Sequence, residues 1–82
     1  MSLEKSPDYS PDTMHKLVYM ANQIGKFFVS QGDEQAIPGI ADHLKKFWDP
    51  RMRREIVAHY REGGAGLNDI VRSAVAILAE GN

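Results

Sequence analysis

The amino-acid sequence predicts an all-α fold: a small domain of about four short helices joined by tight turns. Three observations predict it. Apolar residues recur every three or four positions through most of the chain, which is the period of one helix face. The breaks between these runs carry helix start and stop signals, at Ser10-Pro11-Asp12, Asp49-Pro50, Gly63-Gly64 and Asn68. No segment alternates apolar and polar residues as a half-buried strand does.

Residues 1–9 are mostly polar and include Pro7, so they are expected to form a loose tail ahead of a single domain over residues 10–82. The first helix is expected from about Ser10, which can cap it, with Pro11 at the first helical position and Asp12 at the positive dipole end. Met14, Leu17, Val18, Ala21, Ile24 and Phe28 share one face, and Met20 and Phe27 widen it. His15, Tyr19, Gln23 and Lys26 fall opposite. Gly25 lies on the apolar side, where a missing side chain lets another backbone come close. This helix should end near Ser30, because Gln31-Gly32-Asp33 reads as a turn.

The second helix is expected from Ile37 to Phe47, with Pro38 confined to its first turn. Ile37, Ile40, Ala41, Leu44 and Phe47 form its apolar stripe. Asp49 as N-cap and Pro50 as first residue restart the chain into a third helix. Met52, Ile56, Val57 and Tyr60 are its apolar side, and Gly63-Gly64 stops it. Asn68 can cap a fourth helix, around which Ile70, Val71, Ala74, Val75, Ile77 and Leu78 spread over more than half of the surface.

At 82 residues the chain has room for one small core. A chain this short buries only about 60–65% of its unfolded surface, so the isolated domain should be marginally stable. Four short helices cannot bury both broad apolar faces together with Tyr19, Phe27, Phe28, Phe47, Trp48 and Tyr60, and the surplus should remain exposed as an interface. The sequence has no cysteine, which excludes disulfides and cysteine-ligated zinc or iron–sulfur centres. No apolar run is long enough to span a bilayer, and the first residues lack the apolar stretch of a signal peptide, so a cytoplasmic, membrane-free protein is expected. The net charge of −1 argues against a dedicated nucleic-acid binder.

Catalytic patterns are weak. His15, His43 and His59 fall on three different helices without a metal-ligand spacing. Ser10, Ser30 and Ser73 lack the strand–turn–helix setting of a nucleophile elbow. Gly63-Gly64-Ala65-Gly66 follows a helix rather than a strand, and no Lys-Ser/Thr follows it, so it reads as a helix stop and not as a phosphate loop. No catalytic residue, cofactor or metal is therefore expected in this chain.

The unusual stretch is Lys45-Lys46-Phe47-Trp48-Asp49-Pro50-Arg51-Met52-Arg53-Arg54. The lysines suit a helix C-terminus, but Arg51, Arg53 and Arg54 stand at the positive end of the next helix, at a cost of roughly 0.3–1 kcal/mol each when exposed. Repeated violation of a local rule points to a functional surface. Trp48, Arg51, Arg53 and Arg54 are accordingly candidate partner contacts, with Arg61 on the same outer side as Arg51 and Arg54. Arg53 falls nearer the apolar face, where an internal carboxylate could pair with it. The competing reading buries Trp48 in the core and leaves the arginines solvated or paired with Asp42 and Glu55.

The order of short motifs resembles the delta-subunit family of NAD-dependent formate dehydrogenases. The resemblance runs from about Leu17 to Leu78. It is carried by Met20-Ala21-Asn22-Gln23-Ile24, Phe27-Phe28, Ile40-Ala41-Asp42-His43, Lys46-Phe47-Trp48-Asp49-Pro50-Arg51-Met52-Arg53, His59 and Gly63-Gly64-Ala65-Gly66-Leu67. The Phe-Trp-Asp-Pro-Arg-Met-Arg run is the most specific; the extension through Pro11 and the segment from Gln31 to Gly39 depart from the pattern. The resemblance implies membership in a soluble bacterial molybdenum or tungsten enzyme. There, a large catalytic subunit binds a bis-molybdopterin guanine dinucleotide and iron–sulfur clusters, and other subunits carry flavin and reduce NAD. It further implies a non-catalytic accessory role without a redox centre, helping the catalytic subunit to assemble or stay stable. Two other readings stand beside it: a helical nucleic-acid binder using Arg51 to Arg61, and a self-associating helical protein that forms a homodimer when isolated.

Overall fold

The computed structural model describes residues 11–81. Among them four helices follow one another: α1 over Pro11–Gln31, α2 over Asp33–Phe47, α3 over Pro50–Arg61 and α4 over Asp69–Glu80. The fold is all-α, as the periodicity predicts. The expected N-terminal tail and the Ser10 cap lie outside the described residues.

The largest departure concerns α2, which begins at Asp33 and not at Ile37, so that Pro38 stands inside it. The proline ring supplies no N–H for the Glu34 carbonyl, yet only one early backbone bond is forgone there, and burial of Ala36, Ile40, Ala41 and Leu44 outweighs it. The expected turn shrinks accordingly to Gly32, whose φ of 131° breaks the helix direction between α1 and α2. Phe47 does not complete the apolar stripe of α2. Trp48 takes its place in the core, because the backbone becomes extended at Trp48 (φ −87°, ψ 138°) and turns that side chain inward.

The restart after Trp48 follows the sequence signals. Asp49 caps α3, its carboxylate accepting the Met52 N–H at 2.9 Å, and Pro50 opens the helix. The stop is a Schellman arrangement in which the Gly64 N–H donates to the His59 carbonyl at 2.9 Å and the Gly63 N–H to the Tyr60 carbonyl at 3.0 Å. Asn68 occupies the N-cap position of α4, but its side chain makes no capping bond. The expectation of a side-chain cap is thus not met.

α4 packs against α2 and α3 and, to a smaller extent, against α1, which lies mainly along α2. Val71, Ala74, Val75 and Leu78 of α4 meet Ile40, Leu44, Ile56 and Trp48 in one continuous core that also takes in Leu17, Ala21 and Leu67. Gly25 fixes how close α1 can come. A methyl group at that position would stand 2.4 Å from Val71 Cγ2, and Val71 is fully buried with a stiff, β-branched side chain.

This contact generates a stability prediction. Gly25→Val should destabilise the domain by about 1–3 kcal/mol through overpacking, lowering its melting temperature by some 4–8 °C per kcal/mol. Gly25→Ala should cost less, because alanine regains up to about 1 kcal/mol of helix propensity. Thermal melts followed by circular dichroism check the order.

Candidate interaction surfaces

The arginine-rich elbow divides into residues that hold the fold and residues that face outward. Trp48 is only 5% exposed, so its indole is a core group and is not displayed to a partner. Its burial follows from the extended backbone at Trp48, which turns the side chain into the core that holds Leu44. Arg53 does not pair with an internal carboxylate either. Its guanidinium donates to the Lys45 carbonyl at 3.1 Å and to the Trp48 carbonyl. These are carbonyls at the C-terminus of α2, where backbone acceptors lack helical partners and the dipole is negative. An arginine that is unfavourable for its own helix is thereby favourable for the preceding one. Asp42 pairs with Lys46 at 3.1 Å, an exposed i,i+4 bridge worth little.

Arg54 and Arg61 are exposed, and neither takes part in an ion pair or hydrogen bond among the described residues. With Arg53 they border a groove of about 600 Å³ along α3, whose floor is Val57 and Ala58 and whose rim carries Glu55. Arg51 is exposed on the same helix but does not border this groove. Of the five candidate contacts, then, the structure brings together Arg53, Arg54 and Arg61. Trp48 is withdrawn into the core, and Arg51 does not border the groove.

A second surface is built of aromatic rings on α1 and α2. Phe27 and Phe28 meet edge-on with centroids 5.4 Å apart, Phe28 meets His43 at 6.0 Å, and His43 meets Phe47 at 4.7 Å. The Phe28 ring can lie this low because Gly39 beneath it has no Cβ; a methyl there would sit 2.8 Å from the ring. The two ends of the strip, Phe27 and Phe47, are 59% and 71% exposed. The expected surplus of apolar surface is therefore concrete, although Phe47 rather than the face of α4 supplies its most exposed part.

The third construction is the loop between α3 and α4. Asn22 on α1 donates to the Gly66 carbonyl at 2.9 Å and accepts from the Asn68 N–H at 3.0 Å. His59 Nε2 lies 2.7 Å from the Ala65 carbonyl. Arg72 of α4 reaches the Gly64 carbonyl at 3.4 Å and Asp69 at 3.8 Å, leaving its buried Nε without a partner. Gly63, Gly64 and Gly66 all have positive φ, so the loop has a backbone path that other residues rarely follow. The polar clamp suits a loop whose own carbonyls have no secondary-structure partners. Sequence reading missed Asn22 as its centre; the available signal was a polar residue between the apolar positions Ala21 and Ile24.

Residues 16–75 match the family described as NADH-dependant formate dehydrogenase delta subunit FdsD. The chain belongs to that delta-subunit family. No curated protein and no solved structure matches it. The motifs that resemble the family now have physical roles. Asn22, His59 and the 63–67 segment are parts of one clamp, and Trp48, Asp49, Pro50 and Arg53 are parts of one elbow. No helix among the described residues of this delta-subunit family member is long and apolar enough to cross a membrane.

Three substitutions separate these roles. Arg53→Met should destabilise the domain by roughly 1.5–3 kcal/mol, since it leaves carbonyls of the α2 terminus without a charged donor, whereas Arg54→Met should stay within about 0.5 kcal/mol of the wild type. Asn22→Ala should cost about 1–3 kcal/mol by releasing a carbonyl and an N–H of the loop at once. Urea titration measures all three.

Proposed function

We propose that this chain is a non-catalytic subunit that docks on the catalytic subunit of an NAD-dependent formate dehydrogenase in the cytoplasm and helps it assemble or stay stable. It holds no redox cofactor of its own in this reading; the absence of cysteine from the sequence leaves no thiolate for an iron–sulfur cluster. Family membership supplies the enzyme. The observation that carries the docking role is the aromatic strip of Phe27, Phe28, His43 and Phe47.

The core closes without the ends of that strip. Trp48, Leu44 and Ile40 already fill the space between α2 and α4, so exposure of Phe27 and Phe47 does not reflect an unfinished interior. Burying a Phe side chain contributes about 1.5–3 kcal/mol, and stacked rings add geometric selectivity. Exposed aromatic clusters of this kind are enriched at the centres of protein interfaces. A small domain with a modest core gains stability from such docking by mass action, and its partner gains in the same measure.

Co-expression of the chain with the other subunits tests the reading. The wild type should co-purify with the catalytic subunit, and Phe27→Ser/Phe47→Ser should lose at least about tenfold in affinity, since interface aromatics often contribute more than 1 kcal/mol each. Circular dichroism should show the helices retained. A wild-type chain that elutes alone as a homodimer, with the double variant monomeric, would instead identify the strip as a self-association surface.

A further inference from the structure

Resting on that docking role, we propose that the outer groove of α3 receives an acidic segment of the partner polypeptide, with two of its Asp or Glu carboxylates pairing with Arg54 and Arg61. Three observations converge on this chemistry. Three guanidinium groups, of Arg53, Arg54 and Arg61, border the groove against one carboxylate, Glu55, a local charge of 3 − 1 = +2 on a chain whose net charge is −1. Arg53 is committed to the α2 carbonyls, but Arg54 and Arg61 are exposed and engaged with nothing among the described residues. The floor between them, Val57 and Ala58, is apolar.

A guanidinium group is a rigid fork that matches a carboxylate through two parallel hydrogen bonds. Arg54 and Arg61 are seven residues apart on one helix face, which sets their Cα atoms about 10 Å apart along the axis. Carboxylates at that separation occur two helical turns apart on a partner helix. The apolar floor suits the hydrophobic residues between such carboxylates. A nucleic-acid backbone fits less well, because it presents evenly spaced phosphates and no apolar face to the Val57 and Ala58 side chains.

The groove lies on α3, while the aromatic strip lies on α1 and α2, so the two surfaces can be tested apart. The probe is the purified enzyme complex prepared without this subunit, titrated with the full chain at about 50 mM and about 300 mM NaCl, a range over which screening of exposed charges becomes strong. The expected result is that wild-type affinity falls as salt rises. Arg54→Glu/Arg61→Glu should bind at least about tenfold more weakly at low salt and lose most of the salt dependence. Arg54→Gln/Arg61→Gln should fall between, and its neutral side chains guard against a misfolded reversal variant. Phe27→Ser/Phe47→Ser should weaken binding while keeping the wild-type salt slope.

If the charge-reversal and glutamine variants bind like the wild type with an unchanged salt slope, the groove is not the acidic contact, and the docking role stands without it. Arginine-dependent binding of a short DNA duplex by the wild type would overturn the assignment in favour of a nucleic-acid surface. Failure of the wild-type chain to bind the complex at either salt concentration would instead overturn the docking role itself.

Discussion

Trp48 is the residue on which the arrangement of both surfaces depends. Its burial at the end of α2 requires the helix to stop one residue earlier and the backbone to extend, since a continued helix would carry the next residues away from α4. That extension ends in Asp49-Pro50, which restarts the chain as α3 in a new direction. Phe47, one position before the anchor, is rotated outward as a direct consequence and becomes the end of the aromatic strip. Arg53, one turn beyond the restart, lands over the carbonyls that the interrupted α2 helix leaves open. Burying one indole thus decides which neighbours face water. The large apolar area of a Trp side chain is what makes it able to impose that choice on the residues around it.

The glycine loop performs the complementary task at the other end of α3. A turn with three positive-φ glycines is conformationally costly to order, because glycine has more freedom to lose than any other residue. Bonds from three separate elements offset that cost: Asn22 from α1, His59 from α3 and Arg72 from α4. Asn22 contributes most directly, since it satisfies the Gly66 carbonyl and the Asn68 N–H together. The same bond stands in for the missing Asn68 side-chain cap by fixing where α4 begins. Gly25 and Val71 then set the spacing of α1 and α4 a short distance beyond. Loop and helix packing are therefore coupled, and a change at Asn22 is felt at both.

The sequence was most legible where a single local rule acted. The Asp49-Pro50 restart, the Gly63-Gly64 stop and the close approach at Gly25 could each be read from residue type and position. It was least legible where two elements shared one group. Periodicity offers both Phe47 and Trp48 as the next inward residue after Leu44, and only the backbone at Trp48 decides between them. Arg53 opposes the dipole of its own helix but suits the carbonyl end of the one before it. At Pro38 the local rule counts only the loss of a single N–H bond, whereas the burial of Ala36 and Ile40 keeps the residue inside α2. The Asn22 clamp joins residues 44 and 46 positions apart, a separation at which no local pattern operates.

The family motifs therefore divide by physical role rather than by position in the chain. Trp48, Asp49, Arg53, Asn22 and His59 hold the elbow and the loop, and of these Trp48 is buried. Phe27, Phe47, Arg54 and Arg61 hold nothing in place and remain exposed. Exposed Phe rings and like-charged arginines do not stabilise an isolated domain, and for one this small the forgone burial is a sizeable share of the stability available. Their presence is intelligible when the domain and its partner are considered as one folding unit. In the proposed docking, the apolar strip contributes most of the binding energy, while the guanidinium groups set the orientation and the rate of encounter. A rigid elbow strengthens both effects, because the groups it presents lose little conformational freedom when they are covered.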